Sequence, residues 1–284
     1  MIVVRDCEGF AELEACVQLQ IETWGVDPSD TTPRKTFLLA QEIGGQVMGA
    51  FDVGNGADLP GGMAVSMVGF AFSLPGIKTG SEGPKAYLHS HMLAVKENYR
   101  NRGLGTRLKL EQRREALARG IRHMEWTFDP LEIKNAFLNI HKLGAIVCGY
   151  RENFYGVSSS RLQGGLPTDR LLAEWQLDSP RVQAILESRR AAADFGERIP
   201  ERIVDRIQDR IVVPASIYEW KASEAGRERA LAVQLENRHK FQQAFSQGLA
   251  VLGFVRDAEG NGVFELGLLS QAEHASSPKE RDNQ

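Results

Sequence analysis

Cysteine is scarce in this chain: Cys7, Cys16 and Cys148 are the only three among 284 residues. They are scattered, odd in number and form no Cys-x-x-Cys pair. That pattern excludes a disulfide scaffold and a thiolate zinc centre, and makes a reducing cytoplasm the expected compartment. No metal is expected. An excess of one charge is also missing, with a formal net charge of −3 and a pI of about 6.1. No basic field speaks for nucleic acid or for an anionic membrane surface as a partner. No uninterrupted apolar run is long enough to span a bilayer. The first apolar run is broken by Arg5, Asp6 and Glu8, so it does not read as a signal peptide. No period repeats along the sequence. What remains is an ordinary globular composition, 42% hydrophobic and 25% charged. It suits one large domain, or a core with a smaller appendage.

Met1–Asp6 reads as a strand. Gly9–Gly25 reads as an amphipathic helix, with Leu13, Cys16, Val17, Ile21 and Trp24 at helical spacing. Thr36–Val53 reads as a strand pair broken at Gly44-Gly45. Gly54–Gly62 is a glycine-rich loop, Met63–Leu74 a strand closed by Pro75-Gly76, and Thr79–Pro84 a polar loop. Lys85–Val95 is the next strand and Gly103–Arg119 a helix ended by Gly120. Ile121–Phe128 is a strand with His123, Glu125 and Thr127 on one face. Glu132–Leu143 is a helix ended by Gly144. Ala145–Tyr155 and Leu171–Leu177 are strand-like. The expected order to this point is β-α-β-β-β-α-β-α-β-β. Beyond Asp178 come a helix over Ser179–Ala192, a charged irregular stretch over Asp194–Arg206 and a short strand at Arg210–Pro214. A long polar helix over Ser223–Gln247 follows, then a hairpin from Leu249–Arg256 and Gly262–Leu269 and a disordered tail from Gln271. The expected domains are therefore 1–177, a smaller α/β extension over 178–270, and the tail 271–284.

Chemistry concentrates in one run. Tyr87-Leu88-His89-Ser90-His91-Met92-Leu93-Ala94-Val95 is an extended apolar segment, followed by Arg100-Asn101-Arg102-Gly103-Leu104-Gly105-Thr106 at the mouth of a helix. A glycine-rich turn opening a helix offers bare backbone N–H groups and a positive helix end to an anion. Arg100 and Arg102 add charge, and Thr106 falls in the first helical turn. The run is neither a Walker A loop, which ends in Gly-Lys-Ser/Thr, nor a dinucleotide fingerprint, which needs a third glycine. Glycines here also serve tight packing, and spacing alone leaves both readings open. His89 and His91 stand at i, i+2, on one face of a strand. They are either packing residues or a titratable pair beside the cradle.

Leu93-Ala94-Val95 with Tyr99-Arg100-Asn101-Arg102-Gly103-Leu104-Gly105 resembles motif A of the GNAT N-acyltransferase superfamily, Arg/Gln-x-x-Gly-x-Gly/Ala. The following strand, helix and Lys142-Leu143-Gly144 resemble its motif B. The resemblance covers about the first three-fifths of the chain. It implies the GNAT fold, a mixed and mostly antiparallel splayed sheet flanked by helices, in the α/β (α+β) class. It implies acetyl-CoA or another acyl-CoA as cosubstrate. The backbone of Leu93, Ala94 and Val95 would pair with the pantetheine arm. The N–H groups of Arg100, Asn101, Arg102, Gly103, Leu104, Gly105 and Thr106 would hold the pyrophosphate. Asn135 and Asn139, at i, i+4, would contact the CoA arm.

The segment from His89 to Val95 is also similar to the matching strand of the arylalkylamine N-acetyltransferases, where two histidines act as bases. This implies His91 as the nearer base and His89 as an outer relay. The family's motif B tyrosine falls on Ile140, which leaves Tyr150, Tyr155 or a water as the acid. The run Trp126-Thr127-Phe128-Asp129-Pro130-Leu131 resembles a bacterial GNAT subgroup with extended C-termini. That likeness implies succinyl-CoA as an alternative donor. Asp129 is an N-cap or an amine anchor. The implied partner is a small-molecule amine, with a homodimer through the C-terminal helix left open. A CoA-binding module without turnover and a nucleotide-binding protein are the competing classes.

Overall fold

The computed structural model describes residues 1–27, 30–54, 66–80, 83–156, 158–195 and 207–270. The expected glycine-rich loop over 55–62, part of the polar loop at 81–82, the charged stretch from 196 to 206 and the tail 271–284 lie outside these residues. The chain divides into two compact units. The first comprises Met1–Ile77, Ala86–Arg122 and Ser159–Arg161. The second comprises Lys78–Lys85, His123–Ser158 and Leu162–Gln284.

The first unit begins β1 (Ile2–Asp6), α1 (Gly9–Trp24), α2 (Arg34–Glu42), β2 (Gln46–Asp52). The expected hairpin at Gly44-Gly45 is corrected here, since its first arm is helical. Phe37 and Ala40, at i, i+3, are both fully buried, and Arg34–Glu42 holds no run of alternating apolar residues. Gly45 then turns the chain into β2 at a close approach: a Cβ there would stand 2.5 Å from the Ser73 carbonyl oxygen. Strands β3 (Ser66–Gly80) and β4 (Gly83–Val95) follow, so β3 runs through Pro75-Gly76 instead of ending there. The Tyr87 ring lies over Gly76, its nearest atom 2.5 Å from where a Cβ would be, and covers the gap a glycine leaves in a sheet. Thr79 and Gly80 belong to β3, and Gly83 and Pro84 to β4. Strand order in this unit is β1-β2-β3-β4, with β1–β2 and β2–β3 antiparallel. Helix α3 (Leu104–Ala118) buries Leu104, Leu108 and Ala116. Phe37, Phe70 and Phe72 make edge-to-face pairs at 5.9 and 4.8 Å in the core.

The second unit has strand order β5-β7-β6-β9-β10-β8. Its strands are β5 (His123–Phe128), β6 (Ile146–Arg151), β7 (Arg170–Gln176), β8 (Asp209–Val213), β9 (Leu249–Arg256) and β10 (Gly262–Leu268). The C-terminal hairpin extends this sheet, β9 meeting β6 at Val147–Val251. The helix expected over Glu132–Leu143 is one α turn, α4 (Ile133–Ala136), followed by a π-helical segment over Phe137–Lys142. Helix α5 is Pro180–Phe195, and the Ser179 hydroxyl accepts the Val182 N–H as the N-cap pattern predicts. The expected long polar helix is α7 (Glu224–Ser246), and a short helix that was not expected, α6 (Ile217–Ala222), precedes it. Ser223, extended at φ −124°, caps α7 by accepting the Gly226 N–H. Ala230, Gln234, Asn237, Phe241 and Ala244 form one buried stripe of α7, against β6, β8 and β9.

Candidate active site

The first unit brings motif A together. β4 ends at Val95, a single 3-10 turn (Glu97–Tyr99) follows, and the chain reaches α3 through Arg100–Gly103. Two residues there are left-handed, Asn101 at φ 61° and Gly103 at φ 74°. Asparagine and glycine are the residues that accept this conformation at low cost. Gly103 is the N-cap of α3, and no side chain caps the helix start. The first intrahelical bond closes only at the Arg107 N–H, on the Gly103 carbonyl. The first-turn N–H groups at Leu104, Gly105 and Thr106 therefore have no intrahelical partner, as at any helix start. No heavy atom lies within 4 Å of the place a Gly103 Cβ would occupy, so the approach is open. Arg100 and Arg102 are both exposed. The Arg100 Nε donates to the Val95 carbonyl at 3.0 Å, and Arg102 sits 5.5 Å from the centre of the Tyr99 ring. Tyr99 is itself held through its hydroxyl, which donates to Asp52 at 2.8 Å. Alternating left-handed residues, uncapped N–H groups and two arginines fit a diphosphate.

Upstream on β4, Leu93 and Val95 are half-buried and Ala94 is buried. β3 passes close to this point. A Cβ on Gly69 would lie 2.9 Å from the Ala94 carbonyl oxygen, so glycine is needed there. His89 and His91 do share a face, with ring centroids 6.2 Å apart. The His91 ring packs edge-on to Phe72 at 6.0 Å and still opens to solvent. Its pKa is lowered, first by the dense protein surroundings and second by His89. A neutral imidazole with an accessible edge is suited to taking a proton.

Between the two histidines, Ser90 points to the opposite face, and a polar network invisible to motif reading begins there. The buried Lys109 of α3 donates to the Ser90 hydroxyl at 2.6 Å. Ser90 donates to the Gln112 side-chain oxygen at 3.2 Å. Gln46 donates to the Gln112 carbonyl at 2.9 Å and to Glu115, and accepts from Ser73 at 3.0 Å. Burial pushes the Lys109 amine well below the ordinary lysine range. The one sequence signal was Gln112, a polar residue in the stripe Leu108–Gln112–Ala116. This network ties the histidine strand to the helix that opens at the cradle.

In the second unit the expected sharing of one face by Asn135 and Asn139 is corrected. Asn135 is exposed and Asn139 is 4% accessible. Asn135 lies in the α turn and Asn139 in the π-helical segment, where the Leu143 N–H bonds back to the Leu138 carbonyl. Ile140 is buried, so the motif B tyrosine has no polar substitute at its own position. Tyr150 is committed elsewhere: its hydroxyl donates to the buried Asp169 at 2.6 Å, and burial together with that carboxylate pushes its pKa up. Asp169 also accepts from Arg238 of α7 at 2.9 Å. Tyr155 is half exposed, its hydroxyl 3.0 Å from that of Thr127 on β5. Asp129 is structural. It accepts the Leu131 N–H at 2.8 Å and pairs with the buried Lys221 at 2.8 Å.

Fold and cradle define a class: α/β proteins in which the fourth strand runs into an open anion cradle suited to a diphosphate. Residues 13–138 match the model of the acetyltransferase (GNAT) family, the family that motif A resembles. Among solved structures, that of Arabidopsis thaliana NAA60 in complex with acetyl-CoA is 16% identical, with a TM-score of 0.51. The match covers 63% of this chain and 100% of that one. The ribosomal-protein-S18-alanine N-acetyltransferase of Escherichia coli is also 16% identical, over 63% of this chain and 96% of that one, with a TM-score of 0.45. The first of these likenesses shows the mixed α/β GNAT fold, a sheet flanked by helices. No curated protein sequence matches the chain.

Proposed function

We propose that the protein is an acyl-CoA-dependent N-acyltransferase. It moves an acetyl or succinyl group onto the primary amine of a small molecule or amino acid. The observation that carries this reading is the open cradle of Asn101, Gly103 and the uncapped start of α3, on the same unit as an accessible, pKa-lowered histidine. Acyl-CoA, when bound, supplies the thioester and the leaving thiol. The backbone from Arg100 to Thr106 holds the diphosphate, and the backbone of Leu93–Val95 pairs with the pantetheine amides. His91 takes the ammonium proton of the acceptor, directly or through a water, and His89 passes it outward. Tyr155, a candidate acid from the sequence, or a water returns a proton to the departing sulfur. Transfer is direct.

The mild net negative charge favours a small cationic acceptor over nucleic acid. The expected cytoplasmic location belongs to the same proposal. No described helix is long and apolar enough to cross a membrane. A competing reading, a CoA-binding module without turnover, is favoured by one observation: Ile140 occupies the motif B tyrosine position. Thermal shifts with acetyl-CoA, succinyl-CoA, CoA and ATP test binding, because a ligand specific for the folded state raises the melting temperature by mass action. Free-thiol release across an amine panel then separates enzyme from module. Stabilisation by ATP and by no CoA compound refutes the proposal.

A further inference from the structure

The second unit holds positive charge for which acyl transfer has no use. His141 and Lys142 close the π-helical segment, Arg189 lies on α5, and Arg256 ends β9. Three of these gather about one ring. His141 stacks on Phe137 with centroids 4.5 Å apart and planes 15° from parallel. The Lys142 ammonium is 5.5 Å from the Phe137 centroid, and the Arg256 guanidinium carbon is 5.4 Å from it. Arg189 is half-buried and close enough to act electrostatically on both His141 and Lys142.

Among the described residues no carboxylate forms an ion pair with Lys142, Arg189 or Arg256. Asp257, the acid next in sequence to Arg256, is occupied within its own turn. It accepts the Glu259 and Asn261 N–H groups at 3.0 and 2.9 Å and the Asn261 side-chain amide at 2.8 Å. Burial first, and the neighbouring cations second, lower the pKa of both His141 and Lys142, and burial alone lowers that of Arg189. Like charges drawn together without a counter-charge oppose folding. An anionic ligand would reverse the sign of that contribution. Lys142 and Arg256 flank a single ring with Arg189 nearby, rather than forming a track, which suits a compact, multiply charged anion better than a polymer.

We propose that Lys142 and Arg256 beside Phe137, with the neighbouring Arg189 and the His141 imidazole, form a binding site for a small phosphate compound, a phosphomonoester or diphosphate. The site is independent of the motif A cradle and of the acyl-transfer reading. Its probe is inorganic pyrophosphate, titrated into the full chain by calorimetry and thermal shift at low salt. The wild type, the Lys142→Met/Arg256→Met double variant and Arg102→Met are compared, with acetyl-CoA titrated into the same samples. Without pyrophosphate, the double variant is expected to melt above the wild type, because repulsion is relieved. With pyrophosphate the order is expected to reverse. The double variant should bind at least about tenfold more weakly, the scale of one lost charge-assisted contact. Arg102→Met, altered only at the cradle, keeps the stabilisation assigned to this cluster. Should the double variant not fold, the exposed Arg256→Gln alone serves. An identical pyrophosphate response in wild type and variant overturns the proposal. An equal loss of acetyl-CoA affinity in the double variant also overturns it, since the cluster would then belong to the cosubstrate site. Failure of acetyl-CoA to bind the wild type, with pyrophosphate binding intact, bears on the acyl-transfer reading alone.

Discussion

Two glycines at opposite ends of α3 offer a matched test of the cradle. Gly103 precedes the helix at φ 74°, Gly120 follows it at φ 79°, and at neither would a Cβ meet a heavy atom within 4 Å. Alanine therefore meets no clash at either place, and the penalty is conformational: about 1–2 kcal/mol for a left-handed L-residue. Both Gly103→Ala and Gly120→Ala should lower unfolding stability by roughly 1 kcal/mol or more, read by urea titration. Ligand binding should separate them. At Gly103, strain is relieved by rotating the peptide out of the left-handed region, which swings the first N–H groups of α3 away from the anion. If that strain appears wholly in binding, acetyl-CoA affinity falls by about 5- to 30-fold, at roughly a factor of ten for each 1.4 kcal/mol. At Gly120 the same strain lies at the far end of the helix, and affinity should stay at the wild-type value. Calorimetry with acetyl-CoA checks both. Equal affinities for the two variants, whether both lowered or both unchanged, would refute a backbone cradle at Gly103.

His91→Ala should lower kcat by about 100-fold or more with little change in acetyl-CoA affinity, the loss typical of a removed general base. Because the His91 pKa is lowered, its neutral form persists below the ordinary histidine range. The acid limb of the kcat/KM profile should therefore fall below pH 6.5, the ordinary histidine value, and a limb above it would count against His91. Lys109 is 2% accessible with its pKa lowered by burial, so between its folded and unfolded pKa values the unfolded chain holds one more proton. Stability of the wild type should rise with pH across that window by up to roughly 1.4 kcal/mol per unit from this residue. Lys109→Met should flatten the slope in urea melts on the alkaline side, below the ordinary lysine value of 10.5, and parallel curves would exclude the effect. Tyr150→Phe should cost about 1–3 kcal/mol of stability, because a buried carboxylate loses a donor. Tyr155→Phe should lower kcat with stability nearly intact, and a reversed pattern would exchange their roles.

The geometry of motif A was legible before any fold was known. Gly103 and Asn101 are residue types that tolerate positive φ, the apolar alternation of β4 puts His89 and His91 on one side, and glycines end α1 and α3. These are local properties of a few consecutive residues, and local rules suffice for them. Where partners lie far apart in the chain, the same rules misread. Arg34–Glu42 looked like a strand arm because the burial of Phe37 and Ala40 depends on a core built from β3 and α1. Pro75-Gly76 looked like a terminator because the covering ring comes from Tyr87. Asn135 and Asn139 looked like a pair, but only Asn139 is buried, because burial depends on what packs against the helix. The Ser90–Lys109–Gln112–Gln46 network and the cations about Phe137 exist only once the chain has folded. Their members come from separate elements, and long-range packing is what brings a buried amine to a hydroxyl, or Arg256 to the ring of Phe137.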